Sequence, residues 1–209
     1  MERGKFIVFE GIDGSGKSTA LKEASSALAK ADIAFVAERE PTGGRIGELI
    51  SSFMSGREGY NFDERTVAAL FAADRLDHLL RAGGILDTLS KGVNVLCDRF
   101  WLSSLAYQSS AYGMDRVWQL NEGISSLIKP DLTLYYAVTA DTALQRIDSR
   151  GEKTEYYERR DRLERTLRCY GEAIEKRRDE DNIVTIDGSR PENAVAGETV
   201  GHILQLIIA

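Results

Sequence analysis

Residues Gly11, Ile12, Asp13, Gly14, Ser15, Gly16, Lys17 and Ser18, followed by Thr19, fit the pattern G-x-x-x-x-G-K-[ST]. Glycines at this spacing let consecutive backbone N–H groups turn inward on phosphate oxygens, and a helix starting at the loop's end adds its positive dipole end. Lys17 is then expected to bridge the β- and γ-phosphates, and Ser18 to ligate Mg²⁺. Alone, the loop says only that a nucleoside triphosphate is bound. Asp13 would be repelled by a phosphate cradle, so its side chain is expected to point outward. There it can accept a hydrogen bond from a sugar hydroxyl or from an Mg²⁺-bound water.

Further charged residues stand where a core has no use for them. Glu38-Arg39-Glu40-Pro41-Thr42-Gly43-Gly44 follows an apolar run, and Arg39 can grip an anion with its planar fork. Asp98-Arg99 ends another run; the carboxylate suits orientation of Mg²⁺ through water, and the guanidinium suits a phosphate. In the segment Glu64–Leu80, Ala69, Ala72, Ala73, Leu76, Leu79 and Leu80 read as the buried stripe. Phe71, Arg75 and His78 then fall on the opposite side, where an aromatic and an arginine one turn apart suit a base and its phosphate. His78 reads as structural. Arg146 and Arg150, spaced i, i+4, lead into Lys153, and cations there can fold over a triphosphate as a lid.

The elements that must position these groups are legible as hydrophobic pattern. Five apolar runs, Phe6–Phe9, Ile33–Ala37, Val93–Cys97, Leu132–Val138 and Ile183–Ile186, read as strands. Stretches of helical period separate them, beginning with Thr19–Ala31. Strands alternating with helices predict a parallel sheet sandwiched by helices, with right-handed crossovers. In such sheets the ligand lies outside the carboxyl ends of the strands, where the phosphate loop, Arg39, Asp98 and Arg99 all fall. The 209 residues, 43% of them hydrophobic, suit one domain spanning 1–209, with a polar lid at about 150–158. A net charge of −6 is ill suited to polymeric nucleic acid, and no apolar run approaches membrane length. Cys97 and Cys169 lack the spacing of a metal or redox pair, so two reduced thiols in a cytoplasmic protein are expected.

Taken in order, these segments resemble the thymidylate kinase family. The resemblance lies in the phosphate loop with its internal acid, Arg39-Glu40-Pro41, Leu70-Phe-Ala-Ala-Asp-Arg75, and Asp98-Arg99-Phe-Trp-Leu-Ser103-Ser104-Leu-Ala-Tyr107-Gln108. It continues in Pro130-Asp-Leu-Thr-Leu-Tyr135 and Arg168–Tyr170. It implies a three-layer α/β P-loop fold with a five-stranded parallel sheet and a short lid, a homodimer, and transfer of the γ-phosphate of ATP to dTMP with Mg²⁺. It further implies that Phe71 stacks on thymine, and that Arg75 and Gln108, helped by Ser103 or Ser104, bond the base. Tyr107 packs by the deoxyribose. Arg39 and Arg99 hold the acceptor phosphate, Asp13 meets the 3′-hydroxyl, and Asp98 serves Mg²⁺ and orients Arg99. The chain departs from the family at Glu38 for a threonine, Thr42-Gly43-Gly44 for a Gly-Gly-Thr run, Phe100 for a tyrosine and Ala137 for an aspartate. One branch's phosphate-loop arginine is absent, and the other branch's lid arginine falls at Glu155, leaving Arg146, Arg150 and Lys153 as candidate lid cations. A kinase for another monophosphate such as dUMP or dGMP is the alternative within the class, and a nucleotide-dependent switch the alternative outside it.

Overall fold

The computed structural model describes residues 2–56, 62–149 and 156–208. The expected strands form at β1 (Phe6–Glu10), β2 (Phe35–Arg39), β3 (Asn94–Asp98), β4 (Leu132–Ala137) and β5 (Ile183–Asp187). They make one sheet in the order β2-β3-β1-β4-β5, with every pairing parallel. Successive side chains of a strand point to opposite faces, and both faces of β1 are covered. Phe6 and Val8 join a core with Trp101, Leu105 and Tyr170. Ile7 and Phe9 join the second core with Ala20, Ala24, Leu28 and Ile203.

The second face is closed by α1 (Lys17–Lys30) and α9 (Glu192–Ile208). The first face carries α3 (Glu64–Leu80), α4 (Ile85–Ser90), α5 (Trp101–Tyr112), α6 (Met114–Ser125) and α8 (Tyr156–Arg177). The helix α2 (Arg45–Met54) packs beside α3, and α7 (Ala140–Asp148) beside α8.

β2 starts at Phe35 rather than Ile33 because Ile33 belongs to the end of α1. Its N–H donates to the Leu28 carbonyl at 3.0 Å and that of Asp32 to Ala29 at 3.2 Å, the two bonds of a Schellman cap. Asp32 holds the left-handed position at φ 54°.

The face expected to be buried on α3 is corrected by the structure. Ala72 and Leu79 are buried, but Ala69, Ala73, Leu76 and Leu80 are exposed, whereas Arg75 and His78 point inward with 1% and 0% exposure. Alanine and leucine set a period without fixing its phase. Here a buried polar cluster outweighs four apolar contacts, and the helix is rolled to serve it.

Candidate active site

β1 delivers the chain into the phosphate loop, and Gly16 at φ 97° turns it into α1. Gly14 has no room for a side chain, since a Cβ there would meet the Ala143 carbonyl oxygen at 2.6 Å. α7 therefore packs directly on the loop. Arg146, one of the expected lid cations, instead ties α7 to it, donating through Nη1 to the Gly14 carbonyl at 3.2 Å and through Nη2 to Gly188 at 2.9 Å. Its guanidinium buttresses the loop and is not a free cation above it. Arg150 and Lys153, with most of the expected lid, lie outside the described residues.

Lys17 is 5% exposed, and its Nζ donates to the Ile12 carbonyl at 3.2 Å. Burial pushes its pKa down to about 8; the Arg99 guanidinium adds to the effect, while Asp98, Asp13 and Glu10 oppose it. An anion set in the loop would favour the charged form again.

Arg99 spans the site. Its Nη1 donates to the Gly11 carbonyl at 3.2 Å and to Ser103 Oγ at 3.3 Å, its Nη2 pairs with Asp13, and its guanidinium lies 5.0 Å from the Tyr107 ring centre. Asp13 does point outward, as expected, with its side chain 70% exposed. Arg99 adopts φ 75°, a left-handed conformation that costs a non-glycine residue about 1–2 kcal/mol. Its N–H holds the Phe9 carbonyl at 2.9 Å, and the next N–H, of Phe100, is taken by Glu10.

Glu10 is the residue that sequence reasoning missed. It is fully buried at the end of β1, accepts from the N–H groups of Phe100 and Ser103 at 2.8 and 3.1 Å, and so caps α5 from another element. Its second oxygen accepts from Ser103 Oγ at 2.7 Å and Tyr170 Oη at 2.9 Å. Burial pushes the carboxyl above its ordinary range, against the bonds from Ser103, Phe100 and Tyr170 and the charge of Arg99. The available signal was alternation. Phe6, Val8 and Glu10 share one face of β1, so a carboxylate in that row had to find donors.

Asp98 and Arg39 end neighbouring strands in register with each other, and Asp98 also faces Phe9 of β1. Asp98 Oδ1 is buried without a hydrogen-bond partner among the described residues. Arg39 is exposed, and among the described residues its guanidinium has no ion pair or hydrogen bond. No cluster of three or more potential metal ligands exists among the described residues. One carboxylate and the Ser18 hydroxyl therefore fit Mg²⁺ held mainly by phosphate oxygens and water, not an all-protein cage.

Deeper, Arg75 meets a different fate from the one expected. Its Nε donates to Glu40 Oε2 at 2.8 Å, Nη1 to Ser104 Oγ at 3.1 Å and to Asn121, and Nη2 to the Phe100 carbonyl at 3.1 Å. Four of five N–H groups are committed. Glu40 also meets His78 Nδ1 at 3.3 Å, and Asp74 of the same helix fixes the turn by accepting from the N–H and hydroxyl of Thr42 at 2.8 and 2.7 Å. Ser103 and Ser104 are thus both engaged within the protein. Gln108 is buried with its Oε1 unpartnered among the described residues, and Phe71 is half-buried on α3.

Two cavities flank the phosphate loop. One of about 600 Å³ is lined by Asp13, Lys17, Ser18, Tyr107 and residues of α8. The other, about 240 Å³, lies against Gly16, Thr19, Arg146, Gly188 and Arg190. The glycine-rich loop thus lies between a larger cavity on the side of Tyr107 and α8 and a smaller recess on the side of Arg146 and Gly188.

The family model described as thymidylate kinase matches residues 9–198. The chain is 36% identical over 209 residues to the thymidylate kinase of Geobacillus thermodenitrificans, covering 96% of this chain and 90% of that one. It is 36% identical over 206 residues to that of Staphylococcus haemolyticus, covering 97% and 98%. To that of Ligilactobacillus salivarius it is 45% identical over 149 residues, 70% and 71% of the two chains.

Proposed function

The chain belongs to the thymidylate kinase family, and from that premise we propose how its residues divide the transfer of the ATP γ-phosphate to dTMP. The protein is a nucleoside monophosphate kinase, and its reaction converts dTMP to dTDP. The observation that carries the assignment of roles is Arg99, which joins the phosphate loop at Gly11 and Asp13 to Ser103 of α5.

The loop N–H groups and Lys17 hold the β- and γ-phosphates of ATP, and the recess beside Arg146 and Gly188 receives its adenosine. Ser18 and Asp98 would hold Mg²⁺ directly or through water, the orphaned Asp98 Oδ1 supporting this. Bound there, the ion would supply charge neutralisation between the phosphates. Arg39 and Arg99 hold the acceptor phosphate, and Asp13 releases Arg99 in part to meet the sugar hydroxyl. Phe71 and Gln108 receive the base. Arg75 contributes its one remaining N–H and otherwise fixes the floor of the pocket. A phosphate monoester with a second pKa of about 6 is mostly a dianion at pH 7, so no general base is needed. Catalysis reduces to alignment and charge neutralisation.

A cytoplasmic setting is in keeping with the free thiols of Cys97 and Cys169. A homodimer is supported by the exposed stripe of Ala69, Ala73, Leu76 and Leu80 beside Leu49 and Met54 of α2. Light scattering that returns a monomer mass would remove it.

The test is ADP release from ATP·Mg²⁺ with dTMP, dUMP, dCMP, dGMP and the ribose form of TMP as acceptors. The expected order places dTMP first. Strong turnover of dGMP with none of dTMP would overturn the assignment, and ADP release without any acceptor would favour a switch.

A further inference from the structure

Transfer between two phosphates needs a cation above the triphosphate, and the residues expected to supply it are spoken for or lie outside the described residues. Arg146 is bound to the carbonyls of Gly14 and Gly188. Arg160 pairs with Asp141 at 3.1 Å and Glu164 at 3.4 Å. Arg162 is placed differently. It lines the 600 Å³ cavity together with Gly16, Lys17 and Ser18, and its guanidinium has no hydrogen bond or ion pair among the described residues.

Its position is fixed by the far end of the same helix face. Tyr170 Oη is anchored to Glu10 at 2.9 Å and to the Gly11 carbonyl at 3.4 Å, so α8 is pinned to the base of the phosphate loop. Thr166 lies one turn back and is buried, and Arg162 one turn further, about 12 Å from Tyr170 along the axis. The spacing of four residues keeps all three near one face. Thr166 and Leu163 line the same cavity. The helix therefore roofs the loop, and Arg162, an exposed side chain near its end, lines the cavity beneath it.

We propose that Arg162 is a catalytic residue that contacts the γ-phosphoryl group and its leaving oxygen from above. The bond that breaks joins the γ-phosphorus to the β,γ-bridging oxygen, which keeps the electron pair and departs on ADP. The bond that forms runs from a dTMP phosphate oxygen to the same phosphorus. Arg162 takes part in neither bond and donates hydrogen bonds to the oxygens that gather charge between them. This assignment rests on the reading of the site as an ATP-to-dTMP phosphotransferase, and it gives the phosphate loop, which lacks its own arginine, a cation from α8.

Steady-state kinetics with ATP·Mg²⁺ and dTMP on Arg162→Ala, Arg162→Lys and the neighbouring Arg165→Ala test it. Arg162→Ala should lower kcat on the order of 10²-fold while KM for dTMP moves by less than about threefold. Arg162→Lys should retain more activity than alanine, and Arg165→Ala should stay near wild type with an unchanged melting temperature. Should the alanine variant melt early, Arg162→Gln, which keeps the apolar stem, carries the same expectation. A kcat within about threefold of wild type overturns the proposal. So does an equal fall for Arg165→Ala. A wild-type protein inactive on every monophosphate would sink the underlying reading instead, so the two failures are distinguishable.

Discussion

Arg99→Ala lowers turnover of dTMP by roughly 10²–10³-fold, the usual consequence of removing one preorganised charge contact, and leaves the protein folded. The two halves of this expectation have separate causes. The partners that Arg99 leaves behind are the Gly11 carbonyl and Asp13, and Asp13 is mostly exposed, so water replaces the guanidinium there. Ser103 Oγ keeps its bonds to Glu10 and Tyr170. The proposed contact with the acceptor phosphate would have no such substitute, because the guanidinium is held at one place by the left-handed backbone and by the Tyr107 ring. Arg99→Lys keeps the charge but not the planar fork and should recover only part of the rate. The measurement is kcat at saturating ATP and dTMP alongside thermal unfolding. Turnover near that of the wild type would remove Arg99 from the mechanism.

Arg75→Ala acts first on stability, by about 3–5 kcal/mol, because it strands a buried charge. Arg75 and Glu40 are an ion pair at 2.8 Å with side chains 1% and 2% exposed. Without the arginine the Glu40 carboxylate keeps only the 3.3 Å contact with His78, Asn121 Oδ1 loses its arginine donor, and the Phe100 carbonyl keeps the Ser103 N–H. In a chain of this length the loss corresponds to a fall in melting temperature on the order of 10 °C. The Glu40 end of the turn beside Arg39 loses its tether while Asp74 still holds Thr42, so affinity for dTMP should fall as well. Thermal or urea unfolding reads the first effect. A variant within about 1 kcal/mol of wild type would show that the cluster does not hold the helix in place.

How far the sequence disclosed this site follows from the kind of signal each residue left. The phosphate loop and Asp98-Arg99 were legible because pattern and strand end coincide, and apolar runs placed all five strands within about two residues. Glu10 left no motif. Its role appears only when β1 and α5 are adjacent, a contact across some ninety residues of chain. The rolled α3 was illegible because alanine and leucine are content on either face. What turns the helix is the demand of Arg75, Asp74 and His78 for partners in the turn after β2, on α5 and on α6. Arg146 looked like a lid cation from its i, i+4 spacing with Arg150, yet Gly14 brings α7 so near that the loop carbonyls take its guanidinium first. Arg162 sits in a run dense with both charges, where spacing cannot tell a roof from a solvated face.

Donor and acceptor phosphates are proposed to meet in one continuous site between the phosphate loop and the strand-end arginines. The most direct test is inhibition by a single molecule carrying adenosine and thymidine joined 5′ to 5′ through a polyphosphate long enough to fill both halves. Competition against ATP and against dTMP alike is expected, with affinity at least about 10²-fold above either nucleotide, as follows when two linked halves bind together. Competition against ATP alone, with dTMP binding undisturbed, would contradict it.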